Sequence, residues 1–250
     1  MPRTTRLALA LGAGIALSLL VGINNVELFQ VINAAHGSVL DVFFGLVSGL
    51  GDGLVIALIM TAIMMVRFRA GLAGLLAFGL SGLLAQMLKR AFDLPRPAVV
   101  LDNVHVLGQT LTSHSFPSGH ATSLGVLAVL LPLLFGKSDV RVWIAVILLL
   151  LAAVGRIYGG VHFPLDVFVG LALGAVCMAL IWPLVMQWRV KPWERSSWAW
   201  NIPTLALAIE AAVLGLGYQV QPATAQPLAM VGSVAALTWL AWMWRKRPGY

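Results

Sequence analysis

Charged residues are scarce in this chain. They account for 10% of its 250 residues, whereas 60% are hydrophobic and the mean hydropathy is +0.93. Charged residues approach a quarter of an ordinary soluble domain, so this composition excludes such a domain and predicts an integral membrane protein. Cysteine is scarcer still, because Cys177 is the only one, and this excludes an internal disulfide. Packing between helices must therefore hold the fold together.

Acidic residues are also few, with 9 Asp and Glu against 16 Lys and Arg and a formal net charge of +7. A basic excess is typical of proteins that bind nucleic acids, but those proteins gather their basic residues on one polar face. Here the basic residues form small clusters between long apolar runs. This distribution argues against nucleic acid as a partner and indicates membrane topology.

Apolar runs of the length that crosses a bilayer, about 17 to 25 residues, recur along the chain. The eight candidate spans are residues 7–23, 50–66, 71–88, 121–136, 141–157, 164–186, 203–219 and 228–244. Between the first two, residues 24–49 mix apolar and polar side chains, which predicts one or two amphipathic helices in the membrane interface. Gly170 and Gly174 in the sixth run predict a close helix contact. The predicted fold class is an all-α integral membrane bundle of about eight spans.

The basic residues give this bundle an orientation. With eight crossings both termini lie on one side, and twelve of the sixteen Lys and Arg residues fall on that side. The positive-inside rule makes that side cytoplasmic. The remaining four, Lys89, Arg90, Arg96 and Arg156, fall on the outer side or at its membrane edge. Arg90 has the simple interpretation of a cation that extends from a helix end to the interface.

Three polar segments are expected to meet at the outer side. They are Lys89 with Arg96-Pro97, Ser118-Gly119-His120 before the fourth span, and Arg156 with His162 and Asp166 around the start of the sixth. Cations near a membrane are costly unless they are paired or used, so three of them beside two histidines point to an anion. A phosphate fits, because arginines fork onto its oxygens and a helix N-terminus offers backbone N–H groups.

His162 and Asp166 are spaced so that, on a helix, the carboxylate orients one imidazole nitrogen while the other faces a substrate. Neighbouring cations disfavour protonation of His162, which keeps its lone pair available for nucleophilic attack. His120 lies on a different element and is a candidate proton donor to the leaving oxygen. The cations would stabilise charge on the phosphoryl group. The pattern predicts phosphoryl transfer through a histidine.

A metal site is the alternative for the same residues. His162 and Asp166 at i,i+4 spacing, with His120 or His114 as a third ligand, would suit a divalent ion. Three nearby cations argue against it, so no metal or other cofactor is expected. His114 is interpreted as a loop residue. Two further histidines, His36 and His105, are interpreted as exposed, and Glu210 in the seventh span is an ionisable group without an identifiable partner.

The spacings K-x6-RP, PSGH and R-x5-H-x3-D, in this order, resemble the signature motifs of the type 2 phosphatidic acid phosphatase family of membrane lipid phosphatases. The ten positions that agree are Lys89, Arg96, Pro97, Pro117, Ser118, Gly119, His120, Arg156, His162 and Asp166. The resemblance implies a phosphohistidine on His162, oriented by Asp166, with His120 as acid and later base. It also implies a phosphate pocket, formed by Lys89, Arg96, Ser118, Gly119 and Arg156. One departure is Gly155, where the family usually has Ser, and the lost hydroxyl would weaken phosphate binding slightly.

The resemblance also implies a division of the chain. Residues 1–186 would form a six-span phosphatase core that includes the interfacial segment 24–49 and an outer loop at 91–118. Residues 187–250 would form a C-terminal extension of two spans, which lies outside the motifs.

The expected function is a lipid phosphatase with its active site at the outer face of a bacterial cytoplasmic membrane. Undecaprenyl pyrophosphate is the first substrate expected, and phosphatidylglycerol phosphate, phosphatidic acid and lipid A 1-phosphate are the others, all by family analogy. One alternative is a phosphotransferase that moves phosphate from a polyprenyl pyrophosphate to lipid A. Another is a non-enzymatic lipid-binding or transport protein, which would need polar groups along its spans rather than at one face.

Overall fold

The computed structural model describes residues 21–136, 138–188 and 198–245, and every long regular element in these ranges is a helix. In chain order the helices are α1 (Asn25–Ala34), α2 (Ser38–Ser48), α3 (Gly53–Val66), α4 (Phe68–Phe92), α5 (Pro97–Val100), α6 (Gly119–Phe135), α7 (Val140–Tyr158), α8 (Pro164–Gln187), α9 (Trp198–Leu216) and α10 (Gln226–Arg245). Short 3₁₀ turns lie at Gly49–Gly51 and Ala223–Ala225. The predicted all-α membrane fold class is confirmed.

Within the described ranges, five helical stretches are long and apolar enough to cross a membrane. They are Phe68–Val100, Val140–Tyr158, Pro164–Gln187, Trp198–Leu216 and Ala223–Arg245. The predicted spans at 50–66 and 121–136 correspond to shorter helices, with 14 residues in α3 and 17 in α6. Helix α3 starts late because Asp52 caps its N-terminus and accepts hydrogen bonds from Leu54 N and Val55 N. Residues 7–20 of the first predicted span lie outside the described ranges.

The predicted interfacial segment 24–49 forms two helices, α1 and α2, bent by 117° at the break between them. Two of its polar side chains, Asn33 and Asp41, bond to other parts of the protein, whereas Gln30 and His36 are exposed. Asn33 is buried, and its Nδ2 donates to His105 O at 2.8 Å and to Tyr158 O at 2.7 Å. His105, expected to be exposed, is only partly exposed and lies 3.0 Å from Asp41. The amphipathic pattern of this segment therefore reflects bonds to the outer loop and to the end of α7.

Helices α6 and α8 cross closely, as the small residues of the sixth span predict. A Cβ added at Gly170 would lie 2.6 Å from Ser118 O, and one at Gly174 would overlap Thr122 O. Only glycine permits this approach of two backbones. The crossing brings the N-terminus of α6 against the N-terminal part of α8, and both of those ends carry predicted site residues.

The C-terminal helices α9 and α10 pack on α3. Their shared apolar cluster includes Leu58, Leu207, Ala211, Leu214 and Ala229. Within the hairpin, the buried Ser233 Oγ donates to Ala211 O at 2.6 Å. Glu210 does have a partner, because Thr61 Oγ1 on α3 donates to Glu210 Oε1 at 3.1 Å. The hairpin thus contacts the predicted core directly, while the boundary at residue 187 stays a prediction.

Candidate active site

Backbone contacts between the starts of α6 and α8 place the second and third motifs side by side. Ser118 caps α6, with its Oγ accepting from Ala121 N at 3.4 Å. Ser118 N donates to Asp166 O at 3.0 Å. His120 is the second residue of α6 and therefore lies at the same end of the bundle as Asp166.

A tight turn between α7 and α8 carries His162. His162 N donates to Arg156 O at 3.2 Å, which folds the turn back on the end of α7. Gly160 has φ +72°, and a Cβ there would overlap His105 O, so the turn requires glycine. The His162 side chain is 3% exposed. Arg156, His162 and Asp166 are thus positioned by one helix–turn–helix segment.

Asp166 is held by neighbours on both sides. Its Oδ2 accepts from Ser115 Oγ at 2.6 Å and from Phe163 N at 2.9 Å. His162 Nδ1 lies 3.4 Å from the same oxygen, and it has no hydrogen-bond partner among the described residues. Ser115 and Phe163 therefore hold the Asp166 carboxylate in place independently of its contact with His162. Sequence reasoning missed Ser115, whose only signal is its place three residues before Ser118 in SHSFPSGH.

Arg96 contacts the other nitrogen of His162. Its Nη1 lies 3.2 Å from His162 Nε2 and donates to Val161 O at 2.8 Å. Its Nε donates to Ser113 O at 3.0 Å. A guanidinium only donates, so in this contact Nε2 must be the acceptor. The ring proton then lies on Nδ1, towards Asp166, and the lone pair lies on Nε2.

The environment of His162 keeps its ring neutral. The pKa of His162 is lowered to about 3, mainly by burial and also by Arg96 and Arg156, while the contact with Asp166 opposes the shift. Burial dominates because the imidazolium loses its hydration. At neutral pH the ring is unprotonated on Nε2 and its lone pair is available.

The other two cationic side chains predicted to bind phosphate are also buried. Lys89 and Arg156 are 9% and 7% exposed. Lys89 Nζ donates to His114 O at 2.6 Å. Within the described part of the chain, Arg156 Nε and His120 Nε2 are buried without a hydrogen-bond partner. Buried cations and polar atoms without partners cost free energy, so this end of the bundle is built for an anion that supplies the missing contacts.

All eight predicted site residues lie together at this end. Gly119 completes the set, and a Cβ added there would meet no other atom within 4 Å, so there is open space beside this backbone. His114 contributes its carbonyl, while its ring lies 3.5 Å from Asp93. Among the described residues no group of three or more His, Cys, Asp or Glu side chains is arranged to hold a metal ion.

The segment between α2 and α3 also borders the site, and sequence reasoning missed it. A Cβ added at Gly51 would lie 3.1 Å from His120 Cβ. A Cβ added at Gly155 would overlap Ser48 Oγ. Glycine at position 155, where the resemblance leads one to expect serine, thus makes room for α2. No motif marks this segment, because its contacts with the site are tertiary.

A helical membrane bundle with one buried imidazole, a second that is half-buried and three buried cations at one end defines a membrane phosphatase. A sequence model of the PAP2 superfamily matches residues 70–190. The chain belongs to this superfamily and is a phosphoric ester hydrolase.

Three similar proteins illustrate the relationship. The undecaprenyl-diphosphatase of Sulfolobus acidocaldarius is 32% identical over 155 residues, which are 60% of this chain and 73% of that protein. The lipid A 1-phosphatase of Rhizobium johnstonii is 40% identical over 103 residues, and the match spans 38% of this chain and only 39% of that protein. The crystal structure of Aquifex aeolicus LpxE superposes with a TM-score of 0.58 at 37% identity, covering 63% of this chain and 93% of that one. These similarities support a multi-pass membrane lipid phosphatase.

Proposed function

We propose that this chain hydrolyses undecaprenyl pyrophosphate at the outer face of a bacterial cytoplasmic membrane, through a phosphohistidine on His162. One observation carries the proposal. At one end of the bundle, His162 Nε2 presents a lone pair next to buried cations, and Arg156 Nε and His120 Nε2 have no partner in the described chain. A phosphoryl group is the ligand whose charge and acceptor oxygens complete this arrangement.

In the first step the lone pair of His162 Nε2 forms a bond to phosphorus, and the bond from phosphorus to the leaving oxygen breaks. The leaving oxygen takes a proton from His120, which the negative charge of the bound phosphate helps to protonate. The attacking ring becomes positive, and the Asp166 carboxylate, 3.4 Å from Nδ1, stabilises that charge. Arg96 Nη1 transfers its contact from Nε2 to a phosphoryl oxygen as the substrate enters.

In the second step water attacks phosphorus on the phosphohistidine. His120 accepts a proton from this water, the bond between nitrogen and phosphorus breaks, and inorganic phosphate leaves with the lone pair restored on Nε2. Lys89, Arg96 and Arg156 stabilise the charge on phosphorus in both steps, together with Ser118 and the backbone at Gly119. These cations do the work that a metal ion performs in other phosphatases, so no metal is required.

The substrate is proposed from the relatives. The archaeal undecaprenyl-diphosphatase matches over most of its own length, which favours a polyprenyl pyrophosphate. Lipid A 1-phosphate is the second candidate, because the lipid A 1-phosphatase has the higher identity over its shorter match. Phosphatidylglycerol phosphate and phosphatidic acid, and phosphate transfer to lipid A, remain predictions. The outward orientation rests on the basic residues at the opposite end of the bundle.

The test is phosphate release from the four lipids by purified protein in detergent. We expect the wild type to prefer undecaprenyl pyrophosphate, and His162→Ala to lose at least about 10⁴-fold in kcat, because the covalent nucleophile is gone. His36→Ala is the matched control, since His36 is an exposed histidine outside the site. Undiminished release by His162→Ala would contradict the mechanism. Labelled phosphate that appears in lipid A rather than in water would replace the hydrolase by the phosphotransferase.

A further inference from the structure

The turn between α2 and α3 supports His120. A Cβ added at Gly51 would lie 3.1 Å from His120 Cβ and 3.2 Å from His120 Cδ2, so the ring rests on the Gly51 backbone. His120 Nε2 has no hydrogen-bond partner in the described chain. Packing, rather than a hydrogen bond, therefore sets the position of this imidazole, and the turn beneath it determines how well that position is defined.

Asp52 follows directly in this turn and is 4% exposed. Its Oδ1 accepts from Leu54 N at 2.9 Å, which caps α3. Its negative charge attracts the Arg156 guanidinium. Its Oδ2 accepts a hydrogen bond from Tyr218 OH at 3.0 Å. One carboxylate thus connects the turn under His120, a predicted phosphate ligand and the C-terminal hairpin.

Tyr218 lies in the turn between α9 and α10, and this turn is itself held in place. Gln226 Nε2 donates to Tyr218 O at 3.0 Å, and Gln226 Oε1 accepts from Val220 N at 2.8 Å. A Cβ added at Gly49 would overlap Ala225, so the hairpin turn packs against the segment that carries Asp52. Burial, together with the neighbouring Asp52, raises the pKa of Tyr218 to about 12, so the phenol keeps its proton and donates.

We propose that Tyr218 is a positioning residue of the active site, which acts through Asp52 to hold the Gly51 turn beneath His120. The C-terminal hairpin, outside the residues that the superfamily model matches, is then part of the catalytic unit. This inference rests on the proposed function, in which His120 donates a proton to the leaving oxygen.

The role of His120 gives the inference a specific signature. An alkyl phosphate has a poor leaving group and needs the proton, whereas 4-nitrophenolate leaves without one. Displacement of His120 therefore slows the hydrolysis of phosphatidic acid more than that of 4-nitrophenyl phosphate. The ratio of kcat/KM for these two substrates does not depend on how much of the protein is folded, so a purely structural role for Tyr218 would not change it.

The experiment compares Tyr218→Phe with Ser233→Ala in the full-length protein in detergent. Both variants remove one hydroxyl hydrogen bond from the C-terminal hairpin, but Ser233 bonds to Ala211 O and does not contact the turn at Asp52. For Tyr218→Phe we expect about a fivefold loss of kcat/KM on phosphatidic acid, the equivalent of one hydrogen bond, and less than about twofold on 4-nitrophenyl phosphate. Ser233→Ala should leave the ratio unchanged, and His120→Ala should change it further in the same direction.

Two results would overturn the inference, and they are distinguishable. If Tyr218→Phe lowers kcat/KM equally for both substrates, or gives the same ratio as Ser233→Ala, Tyr218 is a structural residue and the proposed function stands. If the wild type releases phosphate from no substrate, the proposed function fails and the role of Tyr218 fails with it.

Discussion

Arginines lie at both ends of this bundle, but they are buried at one end and exposed at the other. At the end that carries the candidate active site, called the outer end after its proposed orientation, Arg96 and Arg156 are each 7% exposed. At the inner end Arg67 and Arg141 are exposed and have protein acceptors. Arg67 Nη1 donates to Leu134 O at 2.7 Å near the end of α6, and Arg141 Nη2 lies 2.9 Å from Asp139 Oδ2.

The inner arrangement lowers free energy by itself, because both arginines stay hydrated, Arg67 stabilises a carbonyl at a helix C-terminus and Arg141 pairs with Asp139. The outer arrangement does not, since cations have been withdrawn from water beside two imidazoles. A protein tolerates such a cluster where a ligand supplies the missing charge. Both ends contribute to the same basic composition, but only the burial of three cations beside two imidazoles distinguishes a binding site from a topological signal.

The test with the largest expected effect replaces one arginine at each end of the bundle. Arg156→Leu should lower kcat/KM by about 10²- to 10³-fold, because a stabiliser of the phosphoryl charge is lost. The Tm should change by only a few degrees, about 4 at most, since removal of a buried cation whose Nε has no described hydrogen-bond partner offsets the lost attraction to Asp52. Phosphate release and thermal unfolding in detergent measure the two effects.

Arg141→Leu is the matched control at the inner end. Its pair with Asp139 is exposed, and such pairs contribute little to stability. We expect kcat/KM within about twofold of the wild type. If Arg141→Leu were as damaging to activity as Arg156→Leu, the distinction between the two ends would collapse.

The predicted site residues lie in short segments whose spacing survives folding, which is why a sequence pattern can bring them together in one prediction. Lys89 with Arg96, and His162 with Asp166, are separated by fixed numbers of residues on or next to helices. Asp52 and Tyr218 could not be predicted in this way. They are 166 residues apart and meet only through the packing of α9 and α10 on α3. No local pattern encodes that contact.

The sequence predicts the helices well where the length of an apolar run sets their bounds. It predicts less where polar side chains bond to residues far away in the chain. The helix at 164–186 matches α8 within one residue. In the segment 24–49 the polar residues suggested a headgroup-facing side, yet Asn33 bonds to Tyr158 O, 125 residues away. A periodic polar stripe has the same sequence pattern whether it faces lipid headgroups or protein.

A second test measures the burial at the outer end through pH. The folded protein holds His162 at a pKa of about 3, below the ordinary 6.5. Between these two values the unfolded chain binds a proton that the folded chain does not, so stability is lost as the pH falls through this window. Tm should therefore decline on acidification, and His162→Asn should show a shallower decline. His36→Asn, an exposed-histidine control, should follow the wild type, and equal slopes for all three proteins would contradict burial of His162 as the cause.

The smallest effect is expected at Glu210, which lies at neither end. It is a half-buried ionisable residue within α9, where sequence alone suggests function by default. Its Oε1 accepts from Thr61 Oγ1 at 3.1 Å, whereas its Oε2, like Arg156 Nε, has no hydrogen-bond partner among the described residues. Glu210→Gln keeps the size and the acceptor oxygen, so kcat/KM and Tm should stay close to wild type, within about twofold in rate. A tenfold loss of activity would show that an ionisable group away from both ends also serves the reaction, and position at the outer end would then no longer identify the functional charges.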